Sequence, residues 1–149
     1  MEDSKIKSIV SQILMKSGSS ARIELEAHFP GDRFAGGKYH FGTHTITLYI
    51  EEIKAQCLQI FSSMDHFEKY LAIVFAHELG HAEDRGLAGL IDEMDASASD
   101  HVRKQIALKI EENAWDYARK LLPKDFQPLM ETIISHSLKP YHEALNVGA

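Results

Sequence analysis

Leu71-Ala72-Ile73-Val74-Phe75-Ala76-His77-Glu78-Leu79-Gly80-His81 is the stretch on which the reading of this chain turns. Six apolar residues run without a break into two histidines four residues apart. An apolar run of this kind marks a helix buried on most of its faces, and on a helix residues i and i+4 stand one turn above each other. His77 and His81 can therefore present two imidazole nitrogens to one ion. Zinc (Zn2+) suits the pair, because it takes nitrogen ligands at about 2.0 to 2.1 Å and its catalytic sites use three protein ligands with a position left for water. Glu78, beside the first histidine, can take a proton from that metal-bound water as a general base. Gly80 costs on the order of 1 kcal/mol relative to Ala inside a helix. Its presence predicts close backbone approach by a packed strand or a neighbouring helix.

The third ligand has to come from elsewhere. Metzincins would supply Gly at position 84 and His at position 87, where this chain has Asp84 and Leu87. A later helix, predicted from Asp100 to about Leu122 and ended by Pro123, carries Glu111-Glu112-Asn113-Ala114-Trp115. At about 100° per residue, Glu111 falls inside the apolar arc centred on Ala114, and Glu112 falls among Asp116, Arg119 and Lys120. A carboxylate aimed into an apolar face costs several kcal/mol unless it is paired or metal-bound. Glu111 is thus the better candidate ligand, with pairing to a buried cation as the other way to satisfy it.

HELGH on a helix after a small sheet, followed by Glu111-x-x-Ala114, Tyr117-Ala118 and Leu121-Leu122-Pro123, resembles the ImmA/IrrE-type metallopeptidases and the related minigluzincins. The resemblance covers roughly residues 40–123. It implies a zincin-like domain of the gluzincin type, with His77, His81 and Glu111 holding zinc, Glu78 as general base, and a peptide or protein as substrate. It differs at Asn113, where a second acidic residue is usual, and at Trp115, where a polar residue supporting a zinc ligand is common. The competing reading is a catalytically silent, zinc-containing module that binds or regulates a protein partner. Glu78 separates the two, since a purely structural site has no use for a carboxylate beside an open coordination position.

Composition narrows the remaining choices. At 149 residues and 44% hydrophobic content, the chain fits one domain over residues 1–149. A net charge of -6 offers no basic field to gather phosphates, which argues against nucleic acid. Cys57 is the only cysteine, so no intramolecular disulfide can form, and a reducing, cytoplasmic setting is expected. The charged N-terminal stretch lacks the apolar core of a signal peptide. The longest apolar run, Leu71 to Ala76, is far below the roughly 20 residues that cross a bilayer, so no membrane partner is expected.

The fold class expected is α+β, a small antiparallel sheet packed on a mainly helical remainder that carries the HELGH helix and the glutamate helix. Ile6, Ile9, Val10, Ile13 and Leu14 predict an amphipathic helix over residues 4–16, stopped by Gly18. Strict alternation predicts a strand from Ala21 to Phe29. Pro30-Gly31-Asp32 and Gly36-Gly37 then punctuate the chain ahead of strand material over Lys38 to Ile50. Thr45 to Tyr49 is the strongest part, equally readable as an edge for an extended substrate or as an ordinary internal strand. A short helix is expected over Glu51 to Phe61, and Asp65 with Glu68 forms a capping-box-like start for the HELGH helix, placed at about His66 to Asp84. Arg85 to Asp100, rich in Gly, Ala, Ser and Asp, reads as a loop. A last helix, roughly Asp125 to Leu138, precedes a tail from Pro140. Its stripe of Phe126, Leu129, Ile133, Ile134 and Leu138 suits packing on the core, and a self-inhibiting role at the metal is the sharper alternative. Tyr39, His40, Tyr117, His136, Tyr141 and His142 are all chemically able to stabilise a developing oxyanion, and the sequence does not rank them.

Overall fold

The computed structural model describes residues 2–30 and 36–147; the turn expected at Gly31-Asp32 lies outside the described residues. The fold is α+β, with six α-helices and a three-stranded sheet among those residues. Helix α1 (Glu2–Ser17) buries Ile6 and Val10 and stops at Gly18, whose φ of 68° is left-handed and whose N–H reaches the Leu14 carbonyl at 3.1 Å. Strand β1 (Arg22–Glu26) keeps Ile23 and Leu25 against the core and points Arg22, Glu24 and Glu26 to solvent, as the alternation requires. It ends three residues earlier than the alternation suggests. The Ala27 carbonyl accepts the Glu51 N–H at 2.9 Å, which ties the chain to the start of the next helix instead of extending the ladder.

Strands β2 (Gly37–His40) and β3 (Thr45–Tyr49) form an antiparallel pair joined through a 3-10 turn at Phe41–Thr43 and a left-handed His44. The sheet order is β1-β3-β2, and β1 runs parallel to β3, so the expected all-antiparallel sheet is instead mixed. Every residue of β3 is buried, so the most apolar strand takes the centre, where both of its edges are paired. Residues 27–44, with β2 among them, supply the long connection that a parallel pair needs. β3 is therefore the internal strand of the two alternatives left open by the sequence and no free edge for a substrate; β2 is the edge strand that packs on α3.

Helix α2 (Ile50–Phe61) follows directly and is closed by Ser62, left-handed at φ 56°, whose N–H reaches the Leu58 carbonyl at 2.8 Å. Helix α3 (Phe67–Ala82) is the axis of the molecule, flanked by α1, α2, the sheet and α5 (Asp100–Leu121). Phe75, Leu71, Ile73 and Leu79 along it have no solvent exposure. The expected capping box is not formed: His66 is the N-cap without a side-chain bond, Ser63 accepts the Asp65 N–H, and Glu68 pairs with Lys5.

The segment expected to be a loop contains helix α4 (Leu87–Ala96), which packs on α5. Leu87, Leu90, Ile91 and Met94 give it a short i, i+3, i+4, i+7 stripe that the surrounding small and acidic residues outweigh in composition. Ser99, rather than Asp100, caps α5, accepting the Val102 N–H at 3.2 Å. Helix α6 (Gln127–Val147) runs straight through Pro140, where the sequence suggests a tail. Pro140 cannot donate to the carbonyl of His136, and both residues are exposed, so water can serve that carbonyl. The first half of α6 buries Met130, Ile133 and Ile134 in the core, in line with the apolar stripe read from the sequence. No helix of the described residues is long and apolar enough to cross a membrane.

Candidate metal centre

The site is set by the crossing of α3 and α5. A Cβ on Gly80 would stand only 2.7 Å from the Ala114 Cα, inside backbone, so only glycine at this position lets the helices meet this closely. Ala114, itself fully buried, is the small partner. The close approach expected at Gly80 is thus made by a neighbouring helix. His77 and His81 lie one turn before and one residue after Gly80, and Glu111 lies one turn before Ala114, so the shared contact brings all three together.

The Glu111 carboxylate bridges both imidazoles. Its Oε1 is 3.0 Å from His77 Nε2 and its Oε2 is 3.1 Å from His81 Nε2. Glu78 Oε2 stands 3.0 Å from the other nitrogen of the first imidazole, His77 Nδ1. All four residues are largely buried, with the Glu78 side chain 8% and the Glu111 side chain 16% exposed. Glu111 is therefore satisfied by contacts to the two imidazoles. Burial alone would lower the His77 pKa, but the Glu78 and Glu111 carboxylates outweigh it and raise it from 6.5 to about 10. Burial would likewise raise Glu111, yet its bonds with His77 and His81 hold it well below the usual carboxylate range.

Two nitrogen donors and one carboxylate, converging in a buried setting, match the donor set of a catalytic zinc site. The donor atoms of His77, Glu78 and His81 also lie within 4.8 Å of one another, so Glu78 competes with Glu111 for the role of third ligand. Glu111 fits better, because it meets both Nε2 atoms while Glu78 meets only the opposite side of one ring. Glu112, the other glutamate of that helix, takes no part in this cluster.

Cavities open on both sides of His77 and Glu78. The larger, about 530 Å³, is walled by Val74, Trp115 and Ile133 with Gln56 and Gln59, and the smaller, about 320 Å³, by Lys38, Tyr39, Ile110, Glu111 and Tyr141. Gly37 lines both, and a Cβ there would come within 2.9 Å of Glu78 Cγ, so the backbone of β2 passes directly over the candidate base. The sequence signal for this is Gly36-Gly37, which by itself marks only a break in the chain.

Of the six candidate oxyanion donors, Tyr39 and Tyr141 line the smaller cavity and His136 the larger. The Tyr39 hydroxyl is held by His44 Nδ1 at 2.8 Å. Burial, and next the charge of Glu83, raise the pKa of Tyr117. His142 is exposed, and His40 ends β2. Sequence reasoning missed the contact made by Trp115, whose ring stacks on His77 with centroids 4.2 Å apart and planes at 25°. Asn113 Nδ2 donates to Asp84 Oδ2 at 3.5 Å, away from the four clustered residues.

No family model, curated protein or solved structure matches this chain.

Proposed function

We propose that this chain is a zincin-like, zinc-dependent peptidase of the gluzincin type that hydrolyses a peptide bond in the cleft crossed by His77 and Glu78. The observation that carries the reading is the convergence of His77 Nε2, His81 Nε2 and both Glu111 oxygens at 3.0 and 3.1 Å, with Glu78 directly alongside. His77, His81 and Glu111 would hold the ion. Bound zinc supplies Lewis acidity, polarising a carbonyl and making water a better acid at neutral pH.

The remaining work falls to the chain's own groups. Glu78, facing both cavities, can accept a proton from an attacking water and pass it to the leaving amine. Strand β2 has no further strand on its outer side among the described residues, and Gly37, Lys38 and Tyr39 line the cleft. An extended polypeptide can pair with that edge through main-chain hydrogen bonds. The larger cavity, where Ile60, Val74, Trp115 and Ile133 stand with Gln56, Gln59 and His136 beyond the His77–Glu78 pair, suits a bulky, mainly apolar side chain next to the scissile bond.

The test is zinc content and hydrolysis measured together. Wild-type protein dialysed against a weak chelator should retain one zinc, and Glu111→Ala should lose it. Glu78→Gln should keep the metal and lose about 10²- to 10⁴-fold in cleavage of a mixed peptide library, the usual range for general acid–base catalysis. Wild-type protein that takes up no zinc on reconstitution sinks the reading. Zinc uptake without cleavage in either protein would instead favour the silent binding module.

A further inference from the structure

A metal-binding histidine is ordinarily oriented through its other ring nitrogen, which donates to a second carboxylate, a carbonyl or water. In this molecule that route is compromised. His77 Nδ1 faces Glu78, the carboxylate that must stay available for proton transfer, and Nε2 faces Glu111. Something else has to fix the ring.

The indole of Trp115 lies flat on the imidazole, 4.2 Å between centroids and 25° between planes. The edge of His81 meets the same ring at 4.7 Å and 74°. Trp115 follows Glu111 by one helical turn, so a single face of α5 delivers both the carboxylate and the aromatic ring that flanks its partner. The indole is itself held: it is 2% exposed, and its Nε1–H donates to Ser137 Oγ on α6 at 3.2 Å.

We infer that Trp115 is a positioning residue for the metal ligand His77, replacing by ring stacking the hydrogen bond that would otherwise orient it, with Ser137 fixing the indole in turn. The inference rests on the metal-site reading above. Its consequence is that Glu78 can leave His77 Nδ1 for a water without releasing the imidazole. It also gives α6 a part in building the site that does not require any of its side chains to touch the metal.

The experiment compares Trp115→Phe, Trp115→Leu and Ser137→Ala with wild type. Zinc affinity is read by competition with a chromogenic chelator, site geometry by the visible spectrum of the cobalt-loaded protein, and folding by circular dichroism of the metal-free form. Trp115→Leu fills much of the space without an aromatic face, and should lose about 10- to 100-fold in zinc affinity with altered cobalt bands, the range typical of outer-shell substitutions. Trp115→Phe keeps a ring face and should recover most of the affinity and the wild-type bands; Ser137→Ala should fall between the two. A folded Trp115→Leu protein with wild-type affinity and spectrum overturns the inference. So does a Phe variant that loses as much as the Leu variant; where Trp115→Leu fails to fold, a folded Trp115→Phe protein that loses about 10-fold or more in zinc affinity against wild type overturns it. Wild-type protein that binds neither metal defeats the site reading itself, which is a distinct result.

Discussion

The α3–α5 crossing and the rim of the cleft meet at the same four side chains but are held by different means. At the crossing, backbone lies against backbone, with Gly80 on Ala114 and no space for a methyl group. At the rim, β2 meets the site through the Glu78 side chain, and α6 meets it through the Trp115–Ser137 hydrogen bond. Protein interiors resist small volume changes where neighbours cannot relax. The spacing of His77, His81 and Glu111, the candidate metal ligands, is therefore set by the rigid contact, and the placement of Glu78, the candidate base, and of the groove walls by the yielding ones.

The largest effect should come from breaking the rigid contact. Gly80→Val drives side-chain atoms into the Ala114 backbone, and the helices have to separate. Over-packing costs about 1 to 3 kcal/mol where side chains can adjust and more where they cannot, so thermal unfolding should show a loss at or above the upper figure. Zinc should be lost as well, because Glu111 moves away with α5. A Gly80→Val protein that folds and keeps wild-type zinc affinity would show that the crossing does not set the ligand spacing.

The same contrast explains what could be read from the sequence. His77, His81 and Glu111 were legible because helical phase and burial are local properties: two histidines one turn apart, and a glutamate inside an apolar arc. Gly80 was legible for the same reason, as a helix-weakening residue that needed a cause. The sheet was not. Which strand becomes central depends on which one buries both faces once packed, and the alternation within each strand does not tell the expected antiparallel sheet from the observed mixed one of order β1-β3-β2. Helix α4 was hidden by a Gly-, Ser- and Asp-rich composition around a stripe of only four apolar residues. The continuation of α6 past Pro140 goes against that residue's tendency to end a helix, and no local pattern reveals it. Trp115 was noted as a departure from the resembled pattern, yet its stacking partner lies on another helix and no spacing rule connects them.

A second, intermediate effect concerns protons at the crossing. In the metal-free protein His77 is held in its charged form, its pKa raised to about 10 by the two carboxylates despite burial, and Glu111 is held ionised. A metal needs the Nε2 lone pair, so zinc uptake at pH 7 should release about one proton from His77. Calorimetry in two buffers of different ionisation enthalpy measures this directly. The stability sign follows from linkage. The charged His77 contributes fully below its ordinary pKa of 6.5, and that contribution is lost as pH rises through about 10. Glu111 contributes above its ordinary 4.5 and loses its contribution as pH falls toward its depressed value. Metal-free protein should therefore lose thermal stability from pH 7 toward pH 10, and zinc-loaded protein, whose His77 carries no such proton, should lose less. Zinc binding without proton release would show that the imidazole is not charged in this pocket.

The smallest effect should come from the rim. In Gly37→Ala the new methyl group would lie 2.9 Å from Glu78 Cγ and 3.3 Å from its Oε2, distances that a flexible side chain relieves by swinging aside. Stability should change by about 1 kcal/mol or less, as at sites where neighbours can move, and zinc should stay, because neither helix is displaced. What changes is where Glu78 points. Cleavage should drop through kcat by less than the roughly 10²-fold minimum expected for removing the base altogether, with KM nearly unchanged. Zinc loss in Gly37→Ala would mean that β2 is part of the rigid frame. A fall in kcat with zinc and stability intact would separate the two regions in one protein: the crossing holds the ligands, and the edge strand aims the base.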